Sequence, residues 1–246
     1  MNLVIDEGNT TVKVAVFDTR EEPEEVFTFK SPDVAEVMTS ISKYPVTSSI
    51  YSSVATYNAA LAGQIKKITS RFLELTHSVP LPIKINYATP ETLGVDRIAG
   101  VVAAWKANPG EESFIIDAGT AITYDYVNSN GEYMGGNISP GITMRLKALN
   151  HYTTSLPLVA KSTAYPERGF NTESAILSGV MTGVINEVMS YITRSRNKNP
   201  HTNVIITGGD SRIIYDKLKS EQITTIKEDS LLVLKGLNNI LNYNNI

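Results

Sequence analysis

No cysteine occurs among the 246 residues, which excludes disulfides, thiolate nucleophiles and Cys-ligated zinc or iron–sulfur centres. Neither sign of charge dominates. Lys and Arg number 22 against 25 Asp and Glu, a formal net charge of −3, and this argues against a basic surface for nucleic acid. The three histidines, His77, His151 and His201, are isolated and lack metal-ligand spacing. Long apolar runs are missing too. Polar residues break each run short of the roughly 18 residues a membrane span needs. The start, Met1-Asn2-Leu3-Val4-Ile5-Asp6, has neither the basic region nor the apolar stretch of a signal peptide. A cytoplasmic protein without membrane or nucleic-acid partners is the expectation. No Gly-x-Gly-x-x-Gly follows a strand and no Gly-x4-Gly-Lys-Ser/Thr is present. Any nucleotide is therefore held by something other than a Rossmann or Walker turn.

What is present is an ordinary globular composition, 42% hydrophobic and 19% charged, in a chain long enough for one large domain or two small ones. Leu3-Val4-Ile5 and the alternating Val12, Val14 and Val16 predict two strands joined by Asp6-Glu7-Gly8-Asn9-Thr10. A third strand is expected at Val26 to Phe29, a helix capped by Asp33, a short strand from Ser49 to Val54, and an acidic solvated loop from Glu21 to Glu25. Asn58 to Ser70 predicts an amphipathic helix with Leu61, Ile65 and Ile68 on one side. Val95 to Lys106 predicts another, ended by Asn108-Pro109-Gly110. The opening pattern then returns: a strand Phe114-Ile115-Ile116, a turn Asp117-Ala118-Gly119-Thr120, and a strand from Ile122 to Val127. Helices are expected at Gly141 to Asn150, Thr172 to Arg196 and Ser230 to Leu241, with Val204-Ile205-Ile206 leading into Thr207-Gly208-Gly209-Asp210. Strands followed by helices, twice over, predict an α/β fold of two similar lobes, 1–109 and 110–246.

The turns carry the chemistry. Glycine in an Asp-x-Gly-Asn/Thr turn permits a positive φ and a close backbone approach to a ligand. Successive N–H groups and a Thr hydroxyl form an anion-binding concavity, and the neighbouring carboxylate can hold a cation. Two such turns would suit a nucleotide triphosphate with Mg²⁺, although Asp-Gly turns also close hairpins and bind nothing. Asp96 and Arg97 fall at the start of a predicted helix. There Asp96 reads either as a general base for a hydroxyl or as a favourable N-terminal carboxylate. Arg97 reads either as a fork for an anion or as a surface residue. Gly135-Gly136-Asn137-Ile138-Ser139-Pro140-Gly141 reads as a tight loop or as a segment that closes over a ligand.

In order along the chain, Asp6-x-Gly8-Asn9-Thr10, Gly94-Val95-Asp96-Arg97, Asp117-Ala118-Gly119-Thr120-Ala121, Gly135-Gly136-x-Ile138-x-Pro140-Gly141, Asn171-Thr172-x-x-Ala175-Ile176 and Gly208-Gly209-Asp210 resemble the motif set of type III pantothenate kinases. The resemblance implies the acetate and sugar kinase, Hsp70 and actin superfamily: two ribonuclease-H-like (actin-like) lobes, mixed sheets flanked by helices, and a nucleotide cleft between them. It implies ATP-dependent phosphorylation of the primary hydroxyl of pantothenate, the first step of coenzyme A synthesis, with Mg²⁺, a monovalent cation (K⁺ or NH₄⁺) and a homodimer.

Carried over by position, Asp6, Glu7, Gly8, Asn9, Thr10, Thr11, Val12 and Lys13 form the first phosphate loop, with Asp6 oriented toward Mg²⁺. Asp96 is the catalytic base. Tyr87, Gly94, Val95, Arg97 and Thr172 contact pantothenate, Thr120 contacts ATP, and Asp117 ligates the monovalent cation. One departure stands out, because Glu7 occupies a position where family members usually carry an apolar residue. A second carboxylate there would repel ATP or help to hold a cation, and would do neither if it pointed away. The competing readings are a related kinase for a sugar, acetate or amino sugar, a non-catalytic ATP-binding switch, and an actin-like filament.

Overall fold

Alternating burial along the first two strands sets the architecture. Leu3, Ile5, Val12, Val14 and Val16 face one side of a sheet and enter a single apolar cluster, as the period of two in a strand requires. The computed structural model describes residues 1–20, 22–30, 33–54, 57–223 and 225–244; Glu21 of the expected acidic loop lies outside them. The chain divides into two compact units.

The first unit comprises Met1–Glu111, Val127–Gly135 and Leu231–Ile246. Its sheet holds β1 (Asn2–Glu7), β2 (Val12–Phe17), β3 (Glu25–Phe29), β4 (Ser48–Ser53) and β5 (Arg71–Glu74), in the order β3-β2-β1-β4-β5. β1 is antiparallel to β2 and parallel to β4, and β5 is parallel to β4. Two helices cover one face, α1 (Val34–Ile41) and α2 (Ala59–Ile68). Asp33 caps α1 by accepting from the Ala35 N–H, and Asn58 caps α2 through the Leu61 N–H, each replacing a bond the first turn lacks. Leu61 and Ile65 are buried as expected, but Ile68 at the end of α2 is exposed and Ala62 takes its place in the core.

The other face carries α3 (Val95–Ala107) and α7 (Leu232–Asn244), which pack on each other and on the sheet. Gly236 of α7 has no room for a side chain, since a Cβ would fall on the Ala99 carbonyl of α3. This contact draws residues from 231 onward into the first unit, whereas the expected boundary assigned them to the second lobe. β6 (Lys84–Ile85) pairs with Glu132 and Tyr133 at the start of β9 (Glu132–Pro140). Trp105 packs beneath Gly131 in the turn before β9.

The second unit comprises Glu112–Tyr126 and Gly136–Ser230. β7 (Ser113–Ala118), β8 (Ala121–Val127), β9, β10 (Asn203–Thr207) and β11 (Ile226–Glu228) belong to it wholly or in their greater part, in the order β11-β10-β7-β8-β9. β10 is parallel to both β7 and β11. Three meandering strands followed by two parallel ones repeat the order of the first sheet, which is the duplication expected from the two Asp-x-Gly turns. The segment 135–141, read from sequence as a tight loop or as a segment that closes over a ligand, instead ends β9 with residues 135–140, and Gly141 caps α4.

α4 (Ile142–His151), α5 (Thr172–Lys198) and α6 (Ser211–Ser220) complete the unit. α5 corrects one expectation: by length and composition it could cross a bilayer, and half of its most apolar stretch is buried in the protein. Its Ser, Thr and Gly residues interrupt the apolar runs without adding charge, and Ile176, Val180, Val184 and Val188 enter the unit's core.

The α3–α7 contact leads to a stability prediction. Gly236→Val forces the two helix backbones apart and should lower the urea midpoint by an amount equivalent to about 1–3 kcal/mol. Gly63→Ala in α2, where a Cβ meets nothing within 4 Å, should instead raise stability by about 0.5–1 kcal/mol.

Candidate active site

β1 delivers two consecutive carboxylates, and the strand sends them to opposite faces. Asp6 pairs across the hairpin with Lys13 and lies beside Ser52 of β4. It shares its face with Asn2, whose side-chain amide donates to Asn238 and Asn242 of α7. Glu7 points the other way. It is 7% exposed, and its Oε2 accepts from the Tyr51 hydroxyl at 2.8 Å and from the Asn58 N–H at 3.3 Å. The Glu7 carboxylate therefore buttresses α2 and faces away from Asp6, so its side chain neither repels nor holds anything on the Asp6 side. The turn between the strands closes with the Gly8 N–H donating to the Thr11 carbonyl at 3.0 Å, and Asn9 and Thr10 are exposed. Neither Gly8 nor Gly119 takes the positive φ anticipated from sequence; Gly208 of the third turn does, at 97°.

Asp96 lies in the first turn of α3, where a carboxylate is favoured by the helix dipole. Its Oδ1 accepts from the Arg97 N–H at 2.8 Å. Gly94 precedes the helix, and a Cβ there would come within 2.5 Å of that same oxygen, so glycine at 94 makes room for the carboxylate. Val95 and Arg97 are buried, Arg97 at 8% exposure, which removes the reading of Arg97 as a surface residue. The strand and the helix bring Asp6 and Asp96 close enough to interact. Burial, then the negative charge of Asp96, pushes the Asp6 carboxyl up to about 7, with Lys13 pulling the other way. Asp96 is raised as well, chiefly by burial, against the Arg97 backbone hydrogen bond and the Arg97 charge. A carboxylate raised in this way is a stronger base than an exposed one.

Sequence reasoning passed over His77 as a residue without a role. Its Nε2 lies 2.8 Å from the Leu93 carbonyl, at the entry to Gly94 and Asp96. Isolation in sequence hides such a contact, because the loop that carries His77 meets the loop before α3 only in three dimensions. Tyr87 sits just beyond β6 with its ring 5.8 Å from that of Tyr133. The Asn86 N–H donates to the Tyr133 carbonyl.

In the second unit Asp117, next to last in β7, lies opposite Thr207 of β10. Gly208 presses against it so closely that a Cβ would meet Asp117 Oδ1 and the Ala118 backbone. The Asp210 N–H donates to the Ala118 carbonyl at 2.8 Å, and the Asp210 carboxylate is ion-paired with Lys161. Thr120 is exposed, and its carbonyl accepts from the Gly141 N–H at 3.1 Å. Thr172 is exposed as the first residue of α5, behind a capping box of Asn171 and Ser174. Among the described residues no three His, Asp or Glu side chains gather as a metal cage. That leaves one-carboxylate positions such as Asp6 and Asp117. These suit an ion that keeps its waters or is shared with a phosphate.

The raised Asp6 has a measurable signature. Unfolded, the group ionises near 3.8; folded, it keeps its proton up to about 7. The folded state therefore binds the extra proton between those limits, and stability falls as pH rises through that window. In the presence of EDTA, Asp6→Asn should melt about 5–15 °C above the parent at pH 8, with the difference closing toward pH 4. A pH-independent offset would contradict the assignment.

Comparison with known proteins places the chain in a family. A family model described as type III pantothenate kinase matches residues 2–194. A type III pantothenate kinase of Bacteroides fragilis is 47% identical over 246 residues, covering 100% of this chain and 99% of that protein. Among solved structures, a protein described as a Baf family transcriptional activator from Campylobacter jejuni aligns with a TM-score of 0.62 at 23% identity, over 98% of both chains. One described as a 2-dehydro-3-deoxygalactonokinase from Sinorhizobium meliloti aligns at 0.60 and 11% identity, over 99% of both. These two likenesses speak to the fold, a pair of ribonuclease-H-like units of the actin and sugar kinase kind. With its whole length aligned to such a relative, the chain belongs to the type III pantothenate kinase family.

Proposed function

We propose that this protein transfers the γ-phosphoryl group of ATP to the primary hydroxyl of pantothenate, the entry step of coenzyme A synthesis. The observation that carries the reading is the Asp6–Asp96 juxtaposition in a chain of this family: two carboxylates with raised pKa, one near the end of a strand and one at a helix start. Phosphoryl transfer asks for positioning and charge stabilisation with little covalent work by the protein. Asp96 takes the hydroxyl proton as the substrate oxygen attacks the γ-phosphorus, and the bond to the bridging oxygen of ADP breaks. Gly94 leaves room for that carboxylate and the Arg97 N–H holds it, and Val95 and Arg97 belong to the same pantothenate-contacting segment. Tyr87, braced by Tyr133, and Thr172 are assigned to pantothenate as well.

The turn from Asp6 to Lys13 and the Thr120 turn receive the phosphates of ATP through N–H and hydroxyl donors. Mg²⁺ supplies charge neutralisation on the phosphates when bound. Asp6 suits it as a single carboxylate that a cation would discharge, because Mg²⁺ takes few protein ligands and keeps several waters. Asp117, pressed by Gly208, is the proposed ligand of K⁺ or NH₄⁺.

Association as a homodimer accounts for a surface of the second unit. α5 exposes Ala175, Gly179, Thr182, Gly183 and Asn186 along one side, and a Cβ at either glycine meets nothing within 4 Å. Tyr152 and Phe170 are more than four-fifths exposed in the same unit. Small residues allow a second copy of the helix to approach closely, and exposed aromatic rings supply area to bury. A cytoplasmic location fits a substrate pair of ATP and a vitamin.

The test is coupled ADP release from Mg-ATP with and without pantothenate, in K⁺ and in Na⁺. Turnover should require pantothenate and fall in Na⁺, and Asp96→Asn should lower kcat by roughly 10²–10⁴-fold. Pantothenate-independent turnover, or full activity in Asp96→Asn, would refute the reading. In sedimentation, the parent should run as a dimer and Gly183→Glu as a monomer.

A further inference from the structure

The second unit contains a charged pair that the proposed chemistry does not use. Glu187 of α5 and Arg145 of α4 are joined at 2.6 Å, with side chains 26% and 22% exposed. The Glu187 carboxylate also accepts from the buried Tyr124 hydroxyl at 2.7 Å. Burial raises this carboxyl, yet hydrogen bonds from Arg145, Tyr124 and Ser139 outweigh it and hold Glu187 below the ordinary range. The group is a firmly ionised anchor.

Arg145 passes that anchor on to the chain before it. Its Nη2 donates to Ser139 Oγ and its Nε to the Pro140 carbonyl, each at 2.8 Å. The next residue, Gly141, donates its N–H to the Thr120 carbonyl, and a Cβ at 141 would overlap the carbonyls of Gly119 and Thr120. With no slack at Gly141, the position of the 139–141 segment fixes the position of the Thr120 turn.

We propose that Arg145 and Glu187 are a positioning pair for the nucleotide: they set the Thr120 turn through Ser139, Pro140 and Gly141, so ATP binding depends on them while acceptor binding does not. This rests on the reading of Thr120 as an ATP contact. The guanidinium fork is essential to it, since one planar group reaches a carboxylate, a hydroxyl and a carbonyl together, which an ammonium cannot do.

The experiment is calorimetric titration of the full chain with the Mg²⁺ complex of a non-hydrolysable ATP analogue, beside steady-state KM values for both substrates. Arg145→Met should weaken analogue binding and raise the KM for ATP by about 10-fold or more, as displacement of a binding group does. The KM for pantothenate should stay within about twofold. Arg145→Lys should fall between the two, and Glu187→Gln, which keeps an acceptor for Tyr124 but loses the charge, should resemble Arg145→Met in direction. Two results would overturn the proposal: analogue binding unchanged in Arg145→Met and Glu187→Gln with the near-ultraviolet dichroism intact, or both KM values rising together. A parent protein that does not bind the analogue would remove the ATP role of the Thr120 turn, and the pair's role with it. A parent that binds the analogue but does not phosphorylate pantothenate would overturn only the acceptor, and the binding measurements would still decide on the pair.

Discussion

Burial of two neighbouring carboxyl groups, Asp6 and Asp96, is the cost around which the packing of the first unit is arranged. Left to itself, such a pair would separate or find solvent. Here the strand that carries Asp6 is hydrogen-bonded on both sides, and the helix that carries Asp96 is locked against α7 by a glycine that admits no Cβ. Packing thus holds in place two groups that hydration would draw out into water. Lys13, across the hairpin from Asp6, relieves part of the strain, and the Arg97 N–H relieves part of it at Asp96.

Much of this was legible in the sequence because it is local. Asp33 and Asn58 announce their helices, Gly94-Val95-Asp96-Arg97 announces the start of α3, and the returning Asp-x-Gly pattern announces the second sheet with its matching strand order. What escaped depends on long-range pairing. Residues 135–140 are rich in glycine and left a loop open as a reading, yet they form the end of β9, which lies beside β8 in the sheet. Glu7 was open to either role, and only the direction of the strand face decides that it serves Tyr51 and Asn58.

The same distinction applies to the residues around the candidate site. The residues that resemblance assigns to chemistry are turn and helix-start residues, recognisable by type and spacing. His77, Arg145 and Glu187 are recognisable by neither, because each meets its partner far away in sequence, His77 the Leu93 carbonyl and Arg145 the Glu187 carboxylate. Duplication sharpens the contrast. The two hairpin turns are copies in outline, but their surroundings differ, with buried Glu7 buttressing one unit and the Arg145–Glu187 pair bracing the other.

The close approach of Gly236 to Ala99 also bears on how the protein is made. The first unit is discontinuous in sequence, and α3, which presents Asp96, finds its main helical partner only after the whole second unit has been synthesised. On a ribosome the first sheet can form early, but the apolar side of α3 must wait exposed for α7, while the second unit folds in between. Contacts of such wide sequence separation slow folding and lengthen exposure to aggregation. The helix that carries Asp96 is translated more than a hundred residues before the partner that secures it, so the nascent chain acquires its candidate base in working order only near the end of synthesis.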